Sequence, residues 1–311
     1  MPRIILDTDP GIDDALALFL ALASPEVQLE AVTTVSGNVH VDHTTRNALA
    51  LLTLAGRTDI PVARGCADAL VIPAVHAAEV HGNNGVGGVE LPPPAAQPVA
   101  QHAVDLIIER VLAAPGEITL VPIGPLTNIA LALRREPSIA QKVREVVIMG
   151  GAVRVPGNVT PAAEFNIYAD PHAAHAVFHA GWPIRLVSLD VTTRVLLARD
   201  QVLAWTEGAG KVKTAMREMM AYYFDIFAPT SDAPQFQMHD PLCLASAFCP
   251  DLITWEPAYV DVELTGTLTL GETVGYFKSS AHQQTNMQVS AGVDAGRFIR
   301  LFLERIDQTF P

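Results

Sequence analysis

The chain has 311 residues, half of them hydrophobic, which is enough to bury a large core in one or two domains. Its 20 basic and 33 acidic residues give a formal net charge of −13, which argues against nucleic acid or an anionic membrane as a partner. We therefore expect an enzyme-sized protein that binds a cation or a neutral small molecule.

The predicted elements alternate between short β-branched runs and longer helical patterns. Strands are predicted at residues 4–6, 31–35, 118–121, 146–149 and 184–189, and helices at residues 13–23, 42–55, 128–134 and 173–180. This βαβ rhythm predicts an α/β fold with a doubly wound, mostly parallel, Rossmann-like sheet. Residues 211–227 read as a further helix and residues 258–289 as further strands. We find no linker between these elements, so we expect a single domain over residues 1–311 with extra C-terminal helices and strands.

Two connections are too long and too rich in Gly, Pro and Asn to be simple turns. They are "VHAAEVHGNNGVGGVELPPP" at residues 75–94 and "GGAVRVPGNVTPAAE" at residues 150–164. Long loops on a rigid scaffold often carry function, so both are candidates for a binding site.

Cysteine usage and the termini bear on location. Cys66, Cys243 and Cys249 are too few and too irregularly spaced for a disulfide framework, which indicates a reducing compartment. The sequence begins without a secretory signal pattern, and no apolar stretch approaches the roughly 20 residues that cross a bilayer. We therefore expect a cytoplasmic protein with no membrane span.

The stretch "IILDTDPGIDDALALFLAL" at residues 4–22 places four aspartates between apolar runs. Asp13 and Asp14 alone could simply occupy the first turn of a helix, where the helix dipole favours carboxylates. That explanation does not cover Asp7 and Asp9, which fall at a strand end and a Pro-Gly turn. Oxygen ligands without Cys or paired His suit a hard cation such as Ca²⁺ or Mg²⁺, and the spacing excludes an EF-hand.

These residues resemble a known family. "DTDPGIDDA" at residues 7–15 is similar to the signature of the nucleoside hydrolases of the inosine-uridine preferring type. Other motifs follow in the family's order: "SGN" (36–38), "PIGPLTNIALAL" (122–133), "MGG" (149–151), "GN" (157–158), "AEFNIYADP" (163–171), "LDVT" (189–192) and "HDPL" (239–242). Most of them come just after a predicted strand, where open α/β sheets bind ligands.

The resemblance implies the nucleoside hydrolase fold and a Ca²⁺ cofactor. By this resemblance the metal ligands are Asp9, Asp14, Asp240 and the backbone carbonyl of Ile123. Asp240 has a second interpretation, because an Asp before Pro241 is also a favourable helix start.

The resemblance also implies the reaction, which is hydrolysis of the N-glycosidic bond of a ribonucleoside to free base and ribose through an oxocarbenium-like state. Asp9 is then the proton acceptor for a water activated by the ion, and His239 is the general acid for the departing base at near-neutral pH. The ribose ligands would be Asp13, Asn38, Asn158, Glu164 and Asn166, with Met149 near the sugar. Relatives of this type are usually homodimers or homotetramers.

Several of these residues have simpler explanations. Asn38 and Asn158 each follow a glycine in a turn-like context and are typical turn residues. If residues 164–166 are extended, Glu164 and Asn166 point to one side and Phe165 to the other. The two polar side chains could then face either a ligand or solvent. His81 belongs to a loop that could close over the site, although a lone loop histidine is usually just solvated.

The sequence does not identify which nucleobase is preferred. Residues 222–238 differ from the better-known members of the family, and Tyr222, Tyr223 and Phe227 could stack on a base or simply belong to the core. Five other histidines receive no role from the sequence: His76, His102, His172, His175 and His179.

Two alternatives belong to other classes. A haloacid dehalogenase-like phosphatase also begins with a strand and Asp-x-Asp, but it expects Thr or Val where Gly11 stands. A calcium-dependent nucleoside-binding protein without catalysis would have no need of His239.

Overall fold

The computed structural model describes residues 1–227, 234–278 and 284–311. Its strands are β1 (Arg3–Thr8), β2 (Gln28–Thr34), β3 (Val62–Arg64), β4 (Ile118–Pro122), β5 (Glu145–Met149), β6 (Ile184–Val187), β7 (Leu196–Ala198), β8 (Gln235–Gln237), β9 (Ile253–Val262), β10 (Thr273–Tyr276) and β11 (Met287–Val293). Its α-helices are α1 (Ile12–Ala23), α2 (Val41–Leu54), α3 (Ala78–His81), α4 (Ala103–Ala113), α5 (Thr127–Arg135), α6 (Phe165–Ala169), α7 (Pro171–Phe178), α8 (Leu189–Thr192), α9 (Arg199–Trp205), α10 (Lys211–Phe227), α11 (His239–Phe248) and α12 (Ala295–Thr309).

Nine of these strands form one sheet in the order β10-β9-β11-β6-β5-β4-β1-β2-β3. The pairs from β3 across to β11 are parallel, whereas β9 runs antiparallel to β11 and β10. The predicted α/β, doubly wound and mostly parallel sheet is confirmed. Strands β7 and β8 form a separate antiparallel pair.

Strand β1 lies in the interior of the sheet, with a neighbouring strand on each side, because its residues can be buried on both faces. Ile4 and Leu6 belong to the apolar layer that contains α1, α2, α11 and α12, whereas Ile5 belongs to the opposite layer with α4, α5 and α7. Such two-sided burial is typical of a central parallel strand.

The strands that follow β1 in the chain are added first to one edge of β1 and then to its other edge. Strands β2 and β3 lie on one side of β1, and β4 then pairs with its other side. Ligands of open α/β sheets bind outside the carboxyl ends of the strands at such a switch point. The segments after β1, β2, β4 and β5 carry most of the predicted site residues.

Two local features differ from what the sequence suggested. Residues 164–166 are not an extended segment, because α6 begins at Phe165 and the carboxylate of Glu164 caps it by accepting the amides of Asn166 and Ile167. Strand β6 ends at Val187, and Leu189 begins the short helix α8. Residues 228–233 of the segment linked to base preference, and residues 279–283 of the predicted C-terminal strands, lie outside the described residues.

No helix among the described residues is both long and apolar enough to cross a bilayer.

Candidate active site

A cavity of about 720 Å³ opens at the carboxyl edge of the sheet. Nine predicted site residues line it: Asp13, Asn38, Ile123, Met149, Asn158, Glu164, Asn166, His239 and Asp240. Asp9 and Asp14 are fully buried, and both are hydrogen-bonded to Asn38 in the cavity wall. The fold thus brings together residues that are up to 231 positions apart in the chain, from Asp9 to Asp240.

The start of α1 orients Asp14. Its carboxylate accepts the backbone amides of Gly11 at 2.9 Å and Asp9 at 3.2 Å, together with the hydroxyl of Thr8. A carboxylate three residues into a helix commonly satisfies free amides in this way. The bonds fix Asp14 at the bottom of the site.

Asn38 links two of the acids. Its backbone amide donates to Oδ2 of Asp9 at 2.6 Å, and its side-chain amide donates to Oδ2 of Asp14 at 2.9 Å. The sequence suggested a turn residue or a sugar ligand here and did not predict this link.

Two glycines leave room for the carboxylate of Asp9. A Cβ at Gly37 would lie 2.1 Å from Oδ2 of Asp9, and a Cβ at Gly124 would lie 2.3 Å from Oδ1. Oδ1 itself is buried and has no hydrogen-bond partner among the described residues. Unpaired buried carboxylate oxygens are costly, so this atom is suited to a ligand or a cation.

Three carboxylates converge beside Asp9. Asp13, Asp14 and Asp240 each offer an oxygen within 4.8 Å of the other two. Burial, followed by the charge of Asp14, raises the pKa of Asp13 to about 8, and burial followed by the charge of Asp13 raises the pKa of Asp240 well above its ordinary range. Several carboxylates in one buried cluster therefore oppose one another's ionisation.

This donor set fits a divalent hard cation. A cation would offset the mutual repulsion of the acids and would be bound by oxygen atoms alone. Burial and then the charge of Asp14 also raise the pKa of Asp9, which is therefore coupled electrostatically to the same cluster. Ile123 borders the cavity, and its carbonyl already accepts the side-chain amide of Asn166 at 2.9 Å.

The polar residues of the 150–164 loop and α6 hold one another in place. Glu164 accepts the backbone amide of Gly151 at 2.9 Å as well as two amides of α6, and burial raises its pKa. Asn166 donates to the carbonyl of Met149 at 3.2 Å, and Oδ1 of Asn158 accepts the amide of Phe165 at 3.0 Å. These contacts bring Asn158, Glu164 and Asn166 together on one wall.

Two imidazoles line the same cavity as the acids. His239 begins α11, and its Nδ1 lies 2.7 Å from the hydroxyl of Thr192. Nδ1 of His81 accepts the amide of Ile12 at 3.0 Å. Burial lowers the pKa of His239 to about 4; burial, followed by the charge of His239, lowers the pKa of His81 to about 3. Both imidazoles are therefore neutral near pH 7.

A cluster of aromatic side chains lines another part of the cavity. Tyr223 and Phe227 of α10 and Phe236 of β8 all line it, and the ring of Tyr223 lies 4.5 Å from that of Phe227 and 4.8 Å from that of Phe236. The aromatic residues at 222–227 were visible in the sequence as a cluster, but Phe236 was not singled out.

Asp7 is separate from this group of acids. Its Oδ1 accepts the hydroxyl of Thr33 at 2.6 Å and the side-chain amide of Asn128 at 2.8 Å. It therefore ties β1 to β2 and α5 beneath the site.

Comparisons with known proteins agree with this arrangement. The model of the family described as "Inosine-uridine preferring nucleoside hydrolase" matches residues 4–300. The chain is 42% identical to the inosine-uridine preferring nucleoside hydrolase of Crithidia fasciculata over 99% of this chain and 98% of that protein. It is 44% identical to the non-specific ribonucleoside hydrolase of Klebsiella pneumoniae over 97% of each. The solved structure of a purine-preferring ribonucleoside hydrolase from Gardnerella vaginalis superposes with a TM-score of 0.93 at 36% identity, covering 99% of this chain and 98% of that one.

Proposed function

Since the chain belongs to the family of inosine-uridine preferring nucleoside hydrolases, it is an N-ribohydrolase that splits ribonucleosides into free base and ribose, and we propose that Ca²⁺ held by Asp9, Asp14, Asp240 and the carbonyl of Ile123 serves this reaction. The phosphatase and the non-catalytic binding protein are thereby excluded. The single observation that carries the metal proposal is the convergence of Asp13, Asp14 and Asp240 in the cavity that His239 also lines. When bound, Ca²⁺ would keep these carboxylates ionised and lower the pKa of the attacking water.

Asp9 is the proton acceptor for that water. Its Oδ1 is free of hydrogen bonds within the described residues, whereas Oδ2 is held by the amide of Asn38. One oxygen is thus positioned by the protein and the other is available to a proton. Gly37 and Gly124 keep the space around both oxygens open.

The ribose is held by two groups of residues. Asp13 and Asn38 border the cavity on the side of α1, whereas Asn158, Glu164 and Asn166 border it from the opposite loop and α6, with Met149 at the end of β5. Hydrogen bonds to sugar hydroxyls make such a site selective, because a sugar that lacks a hydroxyl leaves buried polar groups unpaired.

His239 assists departure of the base. As negative charge develops on the departing base, the neutral imidazole takes up a proton from solvent and gives the proton of its ring N–H to the base, so that it ends the step neutral. Tyr223, Phe227 and Phe236 contact the faces of the base, and stacking of this kind tolerates different bases. We therefore propose that the enzyme accepts both inosine and uridine.

The sequence-based expectations about location and assembly remain proposals. Cys66, Cys243 and Cys249 are unpaired, which supports a reducing compartment such as the cytoplasm. The match of one family model to residues 4–300 supports a single domain over residues 1–311. We propose a homodimer or homotetramer, which size-exclusion chromatography with light scattering would test.

The metal proposal is tested by assaying release of ribose from inosine, uridine, cytidine and adenosine before and after exhaustive dialysis against EGTA. We expect activity to disappear on dialysis and to return with Ca²⁺. A phosphate ester assayed in parallel controls for phosphatase activity. Full turnover after dialysis would contradict the calcium proposal, and failure of every nucleoside in the presence of Ca²⁺ would contradict the proposed substrate range.

A further inference from the structure

A second cluster of metal-ligating side chains lies away from the cavity, between α7 and β9. His175 lies in α7, His179 follows the end of this helix, and Asp261 lies in β9. One donor atom from each residue lies within 4.8 Å of the other two. Residues four apart on a helix share one face, so both imidazoles are directed at the same strand.

The separations between donor atoms match a small tetrahedral ion. Nδ1 of His175 lies 2.9 Å from Oδ1 of Asp261, and Nε2 of His179 lies 3.8 Å from Oδ2 of Asp261. Bonds of about 2.0 to 2.1 Å from zinc to nitrogen or oxygen place tetrahedral ligands about 3.3 Å apart. The two observed separations lie on either side of this value, so small side-chain rotations would accommodate the ion.

Neighbouring groups orient these ligands. Nδ1 of His179 lies 2.8 Å from the carbonyl of His175, which places the ring proton on Nδ1 and leaves Nε2 beside the hydroxyl of Tyr259 at 3.2 Å and Oδ2 of Asp261 at 3.8 Å. The hydroxyl of Tyr259 donates to Oδ2 of Asp261 at 3.3 Å, and the amide of Val262 donates to Oδ1 at 2.8 Å. Metal-ligating histidines and carboxylates typically have such outer partners.

The cluster is also accessible, and its carboxyl group ionises readily. The side chains of His175, His179 and Asp261 are 41%, 33% and 35% exposed, so a hydrated ion can reach all three. Burial opposes ionisation of Asp261, but the amide of Val262 and the facing imidazoles outweigh it and lower the pKa of this carboxyl.

We propose that His175, His179 and Asp261 form a zinc site that is distinct from the aspartate site of the cavity and that joins α7 to β9. Two imidazoles and one carboxylate favour Zn²⁺ over Ca²⁺, which prefers oxygen ligands alone. Water would complete the shell. The simpler alternative is a hydrogen-bonded pair of histidines around Asp261 that binds no metal.

The proposal is tested by calorimetric titration with Zn²⁺ as the only titrant. The buffer contains excess Ca²⁺ to saturate the aspartate site. We expect one Zn²⁺ per wild-type chain and a loss of at least about tenfold in affinity for each of His175→Ala, His179→Ala and Asp261→Asn. Co²⁺ provides a second readout, because a tetrahedral site gives strong visible absorption that the same variants should lose.

His40→Ala is the matched control. His40 pairs with Asp42 at 3.4 Å on the surface, and neither belongs to a cluster of three ligands among the described residues. This variant should titrate like the wild type, and retention of nucleoside hydrolysis by all four variants would show that they are folded. Absence of zinc binding by the wild type, or wild-type affinity in Asp261→Asn, would overturn the proposal without affecting the assignment of the nucleoside site.

Discussion

The hydroxyl of Thr192 lies 2.7 Å from Nδ1 of His239 and joins the end of α8 to the start of α11. A hydroxyl that donates to Nδ1 places the imidazole proton on Nε2, the remaining nitrogen. Thr192 is therefore suited to hold His239 in the tautomer that presents an N–H group at Nε2.

Thr192→Val should impair departure of poor leaving groups. The variant keeps the shape of the side chain but loses the hydroxyl, so the imidazole loses its fixed tautomer and orientation. We expect kcat for inosine to fall by about tenfold to a hundredfold, within the range ascribed to general acid catalysis. Turnover of p-nitrophenyl riboside, whose leaving group needs no proton, should change little.

Thr192→Ser is the control, because it retains the hydroxyl and should restore most of the activity on inosine. Equal losses on inosine and p-nitrophenyl riboside would contradict a role for Thr192 in positioning the proton donor.

Gly124→Ala should disable the site while leaving the fold intact. The new methyl group would lie 2.3 Å from Oδ1 of Asp9, a distance that forces the carboxylate to move. Displacement of a catalytic group by about 1 Å can cost a factor of about 10² in rate. Steady-state kinetics should show this loss in kcat, whereas Gly296→Ala, whose Cβ would come no closer than 3.5 Å to its neighbours, should retain full activity.

Much of the fold was predictable because the sequence pattern there is strong. The alternation of buried strands and amphipathic helices locates β1, α1, β2 and α2 within a few residues of their observed bounds. The start of α6 at residue 165 was not predicted, because the cap depends on the local hydrogen bonds of Glu164, which no hydrophobic period reveals.

The site residues were found as separate motifs, but their mutual contacts could not be predicted. Asn38 resembles a turn residue in the sequence, and only the meeting of the segments after β1 and β2 shows that its amides hold Asp9 and Asp14. The low pKa of His239 has the same origin, because it follows from burial that the sequence does not specify.

Asp240→Asn should stabilise the protein against thermal unfolding without Ca²⁺ and destabilise it relative to the wild type when Ca²⁺ is bound. Without Ca²⁺ the variant lacks one of several buried carboxylates that raise one another's pKa, so it should unfold at a higher temperature than the wild type in EGTA. With Ca²⁺ at about 100 times its Kd, the wild type should gain about 2.7 kcal/mol, most of which the variant should lose. Asp200→Asn, at an exposed position, is the control for a change of net charge and should respond to Ca²⁺ like the wild type.

His81→Asn should reduce the loss in free energy of unfolding that occurs as the pH falls below neutral. Burial, followed by the charge of His239, lowers the pKa of His81 to about 3, compared with about 6.5 in an unfolded chain, so protons bind more tightly to the unfolded state. The contribution of the neutral imidazole is therefore complete above about pH 6.5 and is lost as the pH falls towards 3, by at most about 1.4 kcal/mol per pH unit. An Asn oxygen can still accept the amide of Ile12, which now bonds to Nδ1 of His81 at 3.0 Å, without gaining a proton in this range. Urea unfolding of both proteins from about pH 7 to about pH 4 measures the difference, and parallel profiles would mean that His81 titrates normally in the folded protein.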